Sequence, residues 1–196
     1  MVLNSSFLKS QFIFFSIIVG IIVAIFSVIS DNIPYSVDDV SILKSIIYYL
    51  ASVINSLPMW FIIAMFVGYR YASNLKSAMF FGMSYSLWTI LLYLLIAKLY
   101  EDTPENISVT MFQQLLSYLT WLGASAVGGL FGGAMGFLLK KSFYPLLILL
   151  AGLVLQLFVN GKENWNDLIG ILQNATFCIM IAGIIIFLKR SLYRAK

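Results

Sequence analysis

Histidine is absent from the 196 residues, which removes the commonest general base, the commonest metal ligand and the usual pH switch together. The single Cys178 cannot form an intrachain disulfide and, in an apolar run, reads as a small buried hydrophobe. Asp38 and Asp39 are adjacent, as are Glu101 and Asp102, but neighbours in a loop are poorly placed for acid–base work and read as solvated determinants of topology. HExxH, GxSxG, P-loop and CxxC patterns are all missing. The expectation is a non-enzyme without cofactor or metal. What remains are uncharged polar residues inside apolar runs: Asn55, Ser56, Ser84, Ser86, Thr89, Gln156, Gln173 and Asn174. Each is costly against lipid, so each should face other helices, either bonded to its peers or lining a polar pocket open to the outside. With Tyr85, Tyr93 and the two nearby tryptophans, the candidate ligand-binding set is Asn55, Trp60, Trp88, Gln156, Gln173 and Asn174.

The elements that must position these residues are membrane helices. The chain is 61% hydrophobic and 10% charged, with a mean hydropathy of +0.96, whereas soluble domains are about a quarter charged. A bilayer core of about 30 Å needs roughly 20 apolar residues per helix. Six runs meet that need: Phe12–Ser30, Ser45–Tyr69, Ser77–Ala97, Leu115–Leu139, Phe143–Val159 and Leu168–Leu188. The first is longer than the apolar part of a secretory signal and is read as a retained helix.

The charges sort by connection. Lys9, Arg70, Lys76, Lys140, Lys141, Lys189, Arg190, Arg194 and Lys196 alternate along the chain with segments that hold all eight acids together with Lys44, Lys98 and Lys162. The positive-inside rule then predicts an all-α polytopic protein with both termini cytoplasmic and three acidic loops outside, in a bacterial plasma membrane. The middle of each span is uncharged, which disfavours proton or sodium coupling. The lipid bilayer is the expected surrounding, and nothing suggests nucleic acid.

Two outer loops read as more than tethers. Ser36-Val-Asp-Asp39 has the form of a capping box ahead of Ile42, Ile46, Tyr49 and Val53 at helical spacing. A helix from near residue 37 to Tyr69 would overshoot the bilayer, so it should bend near Pro58 and leave an interfacial helix outside. Thr103-Pro104-Glu105 predicts a second such helix before the fourth span. Small residues at Ala124, Gly128, Gly132 and Gly136 line one face of that span, and Gly20 with Ala24 mark the first. Such faces let backbones approach closely in lipid, either within the bundle or against a partner.

The motifs Asn55-Ser56-x-Pro-x-Trp60-x-x-x-Ala64-x-x-x-Gly68 and Trp121-Leu-Gly-Ala-Ser-Ala-Val-Gly-Gly-Leu-Phe-Gly-Gly-Ala-Met-Gly136 resemble an uncharacterised family of small six-helix bacterial membrane proteins, over residues 40 to 160. This implies a single integral membrane domain spanning 1–196 and no known substrate. A looser similarity is to the substrate-binding membrane subunits of energy-coupling-factor vitamin transporters, whose docking pattern on the first helix corresponds here to Gly20-x-x-x-Ala24. A half-size exporter permease is a further likeness. Two functions follow as expectations. One is a transport-related subunit holding a small solute or peptide at an outward pocket, driven by an ATPase or permease partner. The other is a scaffold or immunity-type protein whose Gly128–Gly136 face grips another membrane protein or a second copy.

Overall fold

The computed structural model describes residues 5–34, 41–100 and 111–194. Among them are seven α-helices: α1 (Ser5–Asp31), α2 (Ile42–Ile54), α3 (Leu57–Tyr71), α4 (Leu75–Tyr100), α5 (Met111–Leu138), α6 (Pro145–Asn160) and α7 (Leu168–Arg194), with a 3-10 turn at Glu163–Trp165 between the last two. Four of them, α1, α4, α5 and α7, are long and apolar enough to cross a membrane, and α2 with α3 makes a fifth if the bent pair is one span. The sixth expected span, Phe143–Val159, is the 16-residue α6. At 1.5 Å per residue it reaches about 24 Å, short of a perpendicular crossing.

The bend expected near Pro58 is a break. α2 stops at Ile54 and α3 leaves at 65° to it, and Asn55 and Ser56 form the joint. Pro58 sits in the first turn of α3, where its missing N–H costs no intrahelical bond, and the Ser56 carbonyl accepts from the amides of Met59 and Trp60. The capping box at Ser36–Asp39 and most of the expected second interfacial helix lie outside the described residues; the helix itself begins at Ile42 behind Ser41.

Glycines set how the centre closes. α5 lies against α4 and α3 over its C-terminal half. A Cβ on Gly129 would meet the Gly82 carbonyl, and one on Gly133 the Ala78 carbonyl, both in α4. One on Gly132 would come 2.7 Å from Ala64 Cβ, and one on Gly136 would meet the Met65 carbonyl, both in α3. The stripe expected at Gly128, Gly132 and Gly136 is therefore split: Gly132 and Gly136 are covered by α3, and Gly128 has nothing within 4 Å. On the other side α1 packs against α4, with Ala24 fully buried and Gly20 under the Trp88 indole.

Two apolar clusters flank this centre. Phe12, Val67 and Tyr85, with Phe15, Tyr71 and Phe81 around them, tie α1, α3 and α4. Met65, Leu149, Leu153 and Phe177 tie α3, α6 and α7. Large apolar side chains such as Phe14, Leu95, Phe131, Leu155 and Ile179 stay exposed, as expected of helices whose solvent is lipid. Cys178, expected to be buried, is exposed on α7.

The two ends of the bundle differ in charge. At one end Asp31, closing α1, meets Asn55 and Tyr93. At the other, Lys140 donates to the Ala72 carbonyl at 2.7 Å, capping the C-terminus of α3 from the α5–α6 connection. Burial, and secondarily Arg70, lowers the Lys140 pKa, while its ammonium lies over the Tyr69 and Phe137 rings. Lys140→Met should cost only about 0.5 kcal/mol, because the site is exposed and the dipole contribution small; thermal unfolding of the purified protein measures it.

Candidate functional site

The site is built where the α2–α3 break, the end of α1 and the α6–α7 connection converge. The break turns Asn55 out of the helical ladder, so that its side-chain amide donates to Asp31 Oδ1 at 3.0 Å. The Tyr93 hydroxyl, reaching over from α4, donates to Asp31 Oδ2 at 2.6 Å. Asp31 is thus held by two neutral donors, and neither offsets its charge.

A carboxamide network forms the opposite wall. Asn160 ends α6, and Gly161 follows it with φ 67° and ψ −169°, a positive-φ extended conformation essentially reserved for glycine. Asp167 then caps α7, its Oδ1 accepting from the Gly170 amide at 2.8 Å. This reversal brings four amide side chains together. Asn160 Nδ2 donates to Asn174 Oδ1 at 2.8 Å, Asn164 Nδ2 to Gln173 Oε1 at 3.1 Å and to Asn174 Oδ1 at 3.2 Å. Gln156 joins by donating to Asn160 Oδ1 at 2.7 Å. The network is also anchored to α2, since Gln173 Nε2 donates to the Ser52 carbonyl at 2.6 Å and Tyr49 bonds Thr176 at 2.7 Å. Asn174 Nδ2 is buried without a partner.

Between the walls lie two adjoining cavities. The polar one, about 460 Å³, is lined by Ser52, Asn55, Gln156, Asn164, Asp167 and Gln173 among others. The other, about 810 Å³, runs along α6 from Val159 and Gln156 to Ile148, with Trp60 and Phe61 of α3, Ser86 and Tyr93 of α4, and Trp121, Ser125 and Gly128 of α5 on its other sides. Asn55, Leu57 and Gln156 line both, so the two adjoin and are described together as one cleft, polar at the acidic end and mostly apolar along its length. Its walls include α5 and α6, which barely touch each other.

Of the residues singled out in the sequence, Asn55, Trp60, Gln156 and Gln173 line this cleft. Asn174 does not: it is fully buried behind Asn160 and Asn164 and serves as their acceptor. Trp88 does not either, because its indole covers Gly20 on the far side of α4. Tyr85 is likewise in the α1–α3–α4 aromatic cluster. Gly20, Ala24, Gly132 and Gly136 mediate helix contacts, and Gly128 is a wall of the cleft. Asp31, Asn160 and Asn164 were missed as site residues. The Asn160-Gly161 pair is a turn signal that could have pointed to the second and third.

No acid–base pair is assembled within the cleft, and no group of three or more possible metal ligands occurs among the described residues. What the arrangement can do is bind: a shaped apolar slot with a few convergent polar groups at one end, in the size range of small-molecule sites. No protein-family model, curated protein or solved structure matches the chain.

Proposed function

We propose that the chain is a non-enzymatic integral membrane protein of the bacterial plasma membrane, with six spans and both termini in the cytoplasm, that holds a small molecule in this cleft as a transport-related subunit. The cleft carries the reading: a polar chamber at the acidic end shares Asn55 and Gln156 with a slot of about 810 Å³. The separation of Asp31 from Lys140 to opposite ends of the bundle supports an outward-facing chamber, since cations collect on the cytoplasmic side. In this orientation α6 crosses only with help from its flanking turns. The uncharged middles of the helices leave no group for ion coupling, so energy comes from a partner, an ATPase or permease. The likeness to small six-helix bacterial membrane proteins and to vitamin-transporter subunits agrees with this reading and adds no substrate. The scaffold reading is less favoured because Gly132 and Gly136 are already occupied by α3.

The test is native mass spectrometry of the protein extracted from its own membrane. Wild type should carry a small molecule that Gly128→Leu loses, with unfolding temperature unchanged, because a Cβ at Gly128 meets nothing within 4 Å. Wild type without adduct, or an adduct equally present in Gly128→Leu, would remove the cleft as the functional site.

A further inference from the structure

We infer that the occupant of the cleft is a single-chain amphiphile with a cationic head: an ammonium group at Asp31 and an alkyl chain along α6 toward Ile148. The inference rests on the binding reading above and names its ligand class.

Three features of the cleft carry it. First, among the described residues the only charged side chain lining the larger cavity is Asp31. Its two oxygens are each oriented by a neutral donor, Asn55 at 3.0 Å and Tyr93 at 2.6 Å, and no Lys or Arg among the described residues lines either cavity. A carboxylate fixed in this way keeps its full charge for a cation and repels a phosphate or sulfate head. Second, beyond Tyr93 and Gln156 the walls turn apolar: Trp60, Phe61, Ile90, Trp121, Leu149 and Leu155. From Val159 to Ile148 along α6 this slot is about 17 Å long, which suits a dodecyl chain and is wasted on a small polar solute. Third, the slot's space is made by missing side chains. Gly128 and Gly152 face each other's walls with nothing within 4 Å of a Cβ, and the scant contact of α5 with α6 leaves a lateral way in for a molecule already dissolved in the bilayer. A zwitterionic phospholipid would bring its phosphate toward Asp31, which repels it.

The experiment uses the full chain in phosphatidylcholine nanodiscs, with dodecylammonium bearing a nitroxide on its chain as probe. Quenching of tryptophan fluorescence is read, since Trp60 and Trp121 line the slot. The expected result is a saturable component for the ammonium probe that is at least tenfold weaker for the matching dodecyl sulfate and for Asp31→Asn, and is abolished by Gly152→Leu. Because Gly152 has free space around it, that variant should fold as wild type, and an unchanged unfolding temperature verifies it. Equal binding of the sulfate probe, or of the ammonium probe to Asp31→Asn, would overturn the cationic head while leaving cleft binding intact. Loss of the ammonium component when phosphatidylethanolamine is added to the bilayer in equal mole fraction would overturn the single-chain occupant in favour of a lipid. Absence of any saturable component would overturn the amphiphile altogether. If wild type then still carried an adduct that Gly128→Leu lacks, the binding reading would survive without it.

Discussion

Gly133→Ala is expected to lower stability by about 3 kcal/mol or more, the upper end of what overpacking costs, and to cut the unfolding temperature by about 10 °C. Gly133 is where three helices touch backbone to backbone. Its own Cβ would meet the Ala78 carbonyl, a Cβ on Gly68 would meet the Gly133 carbonyl, and one on Gly82 the Gly129 carbonyl and Gly133 Cα. The obstructing atoms are main chain of α4, so no rotamer change relieves the clash, and α4 would have to retreat from α5. Without apolar driving force between helices in lipid, close packing is most of what holds them, and retreat forfeits it along the whole contact. Gly123→Ala is the control. It lies on the same helix with nothing within 4 Å, and should be neutral or stabilise by about 0.5–1 kcal/mol through lost unfolded-state entropy. Thermal unfolding of the two variants side by side measures the difference. Equal temperatures would mean that α5 does not sit between α3 and α4 as described.

Asn174→Leu is the second large effect, expected to cost about 2 kcal/mol. Leucine has the same branching and number of side-chain heavy atoms as asparagine but more bulk, so the change removes polarity and adds a modest overpacking cost. Asn174 is fully buried, and its Oδ1 accepts from both Asn160 at 2.8 Å and Asn164 at 3.2 Å. Hydrogen bonds between membrane helices average well under 1 kcal/mol because the unfolded state finds other partners. A buried donor left without an acceptor, however, costs about 1–3 kcal/mol. Asn164 retains Gln173 Oε1 at 3.1 Å, but Asn160 keeps it only at 3.4 Å, so the Asn160 amide is left with one long, weak acceptor. The loss should be local. Hydrogen exchange at Asn164 to Gly170 should accelerate, since the α6–α7 reversal hangs on this network, while α1 and α4 keep their protection. A uniform rise across all helices would contradict the assignment of Asn174 to this connection.

How much of this was legible beforehand varies by element. The long apolar helices were, because hydropathy over 24 or more residues marks α1, α4, α5 and α7 as long and apolar enough to cross a membrane. The break before α3 was legible from length alone: a helix from residue 37 to 69 would overshoot a bilayer, and Pro58 supplied a place for it to give. α6 was read as an ordinary span because Phe143 and Tyr144 are apolar, yet Pro145 starts the helix after them, and pattern alone cannot tell a helical residue from an apolar lead-in. Within the cleft, Asn55, Trp60, Gln156 and Gln173 stood out as polar or aromatic residues in apolar surroundings. Asp31, Asn160 and Asn164 did not, since acids and amides at helix ends are common and their convergence is a tertiary fact. Trp88 went astray for the opposite reason. An indole amid polar neighbours resembles a site wall, and only the fold shows that Gly20 makes room for it on α1.

The central claim is that the cleft at the acidic end of the bundle opens to the outside of the cell, and one cysteine tests it. In a Cys178→Ala background, Gln156→Cys places a thiol at the junction of the two cavities. A small membrane-impermeant thiol reagent added to intact cells should modify it, whereas Lys141→Cys, beyond the other end of α5, should react only after the membrane is opened. Modification of Lys141→Cys in intact cells, with Gln156→Cys silent until permeabilisation, would contradict the account.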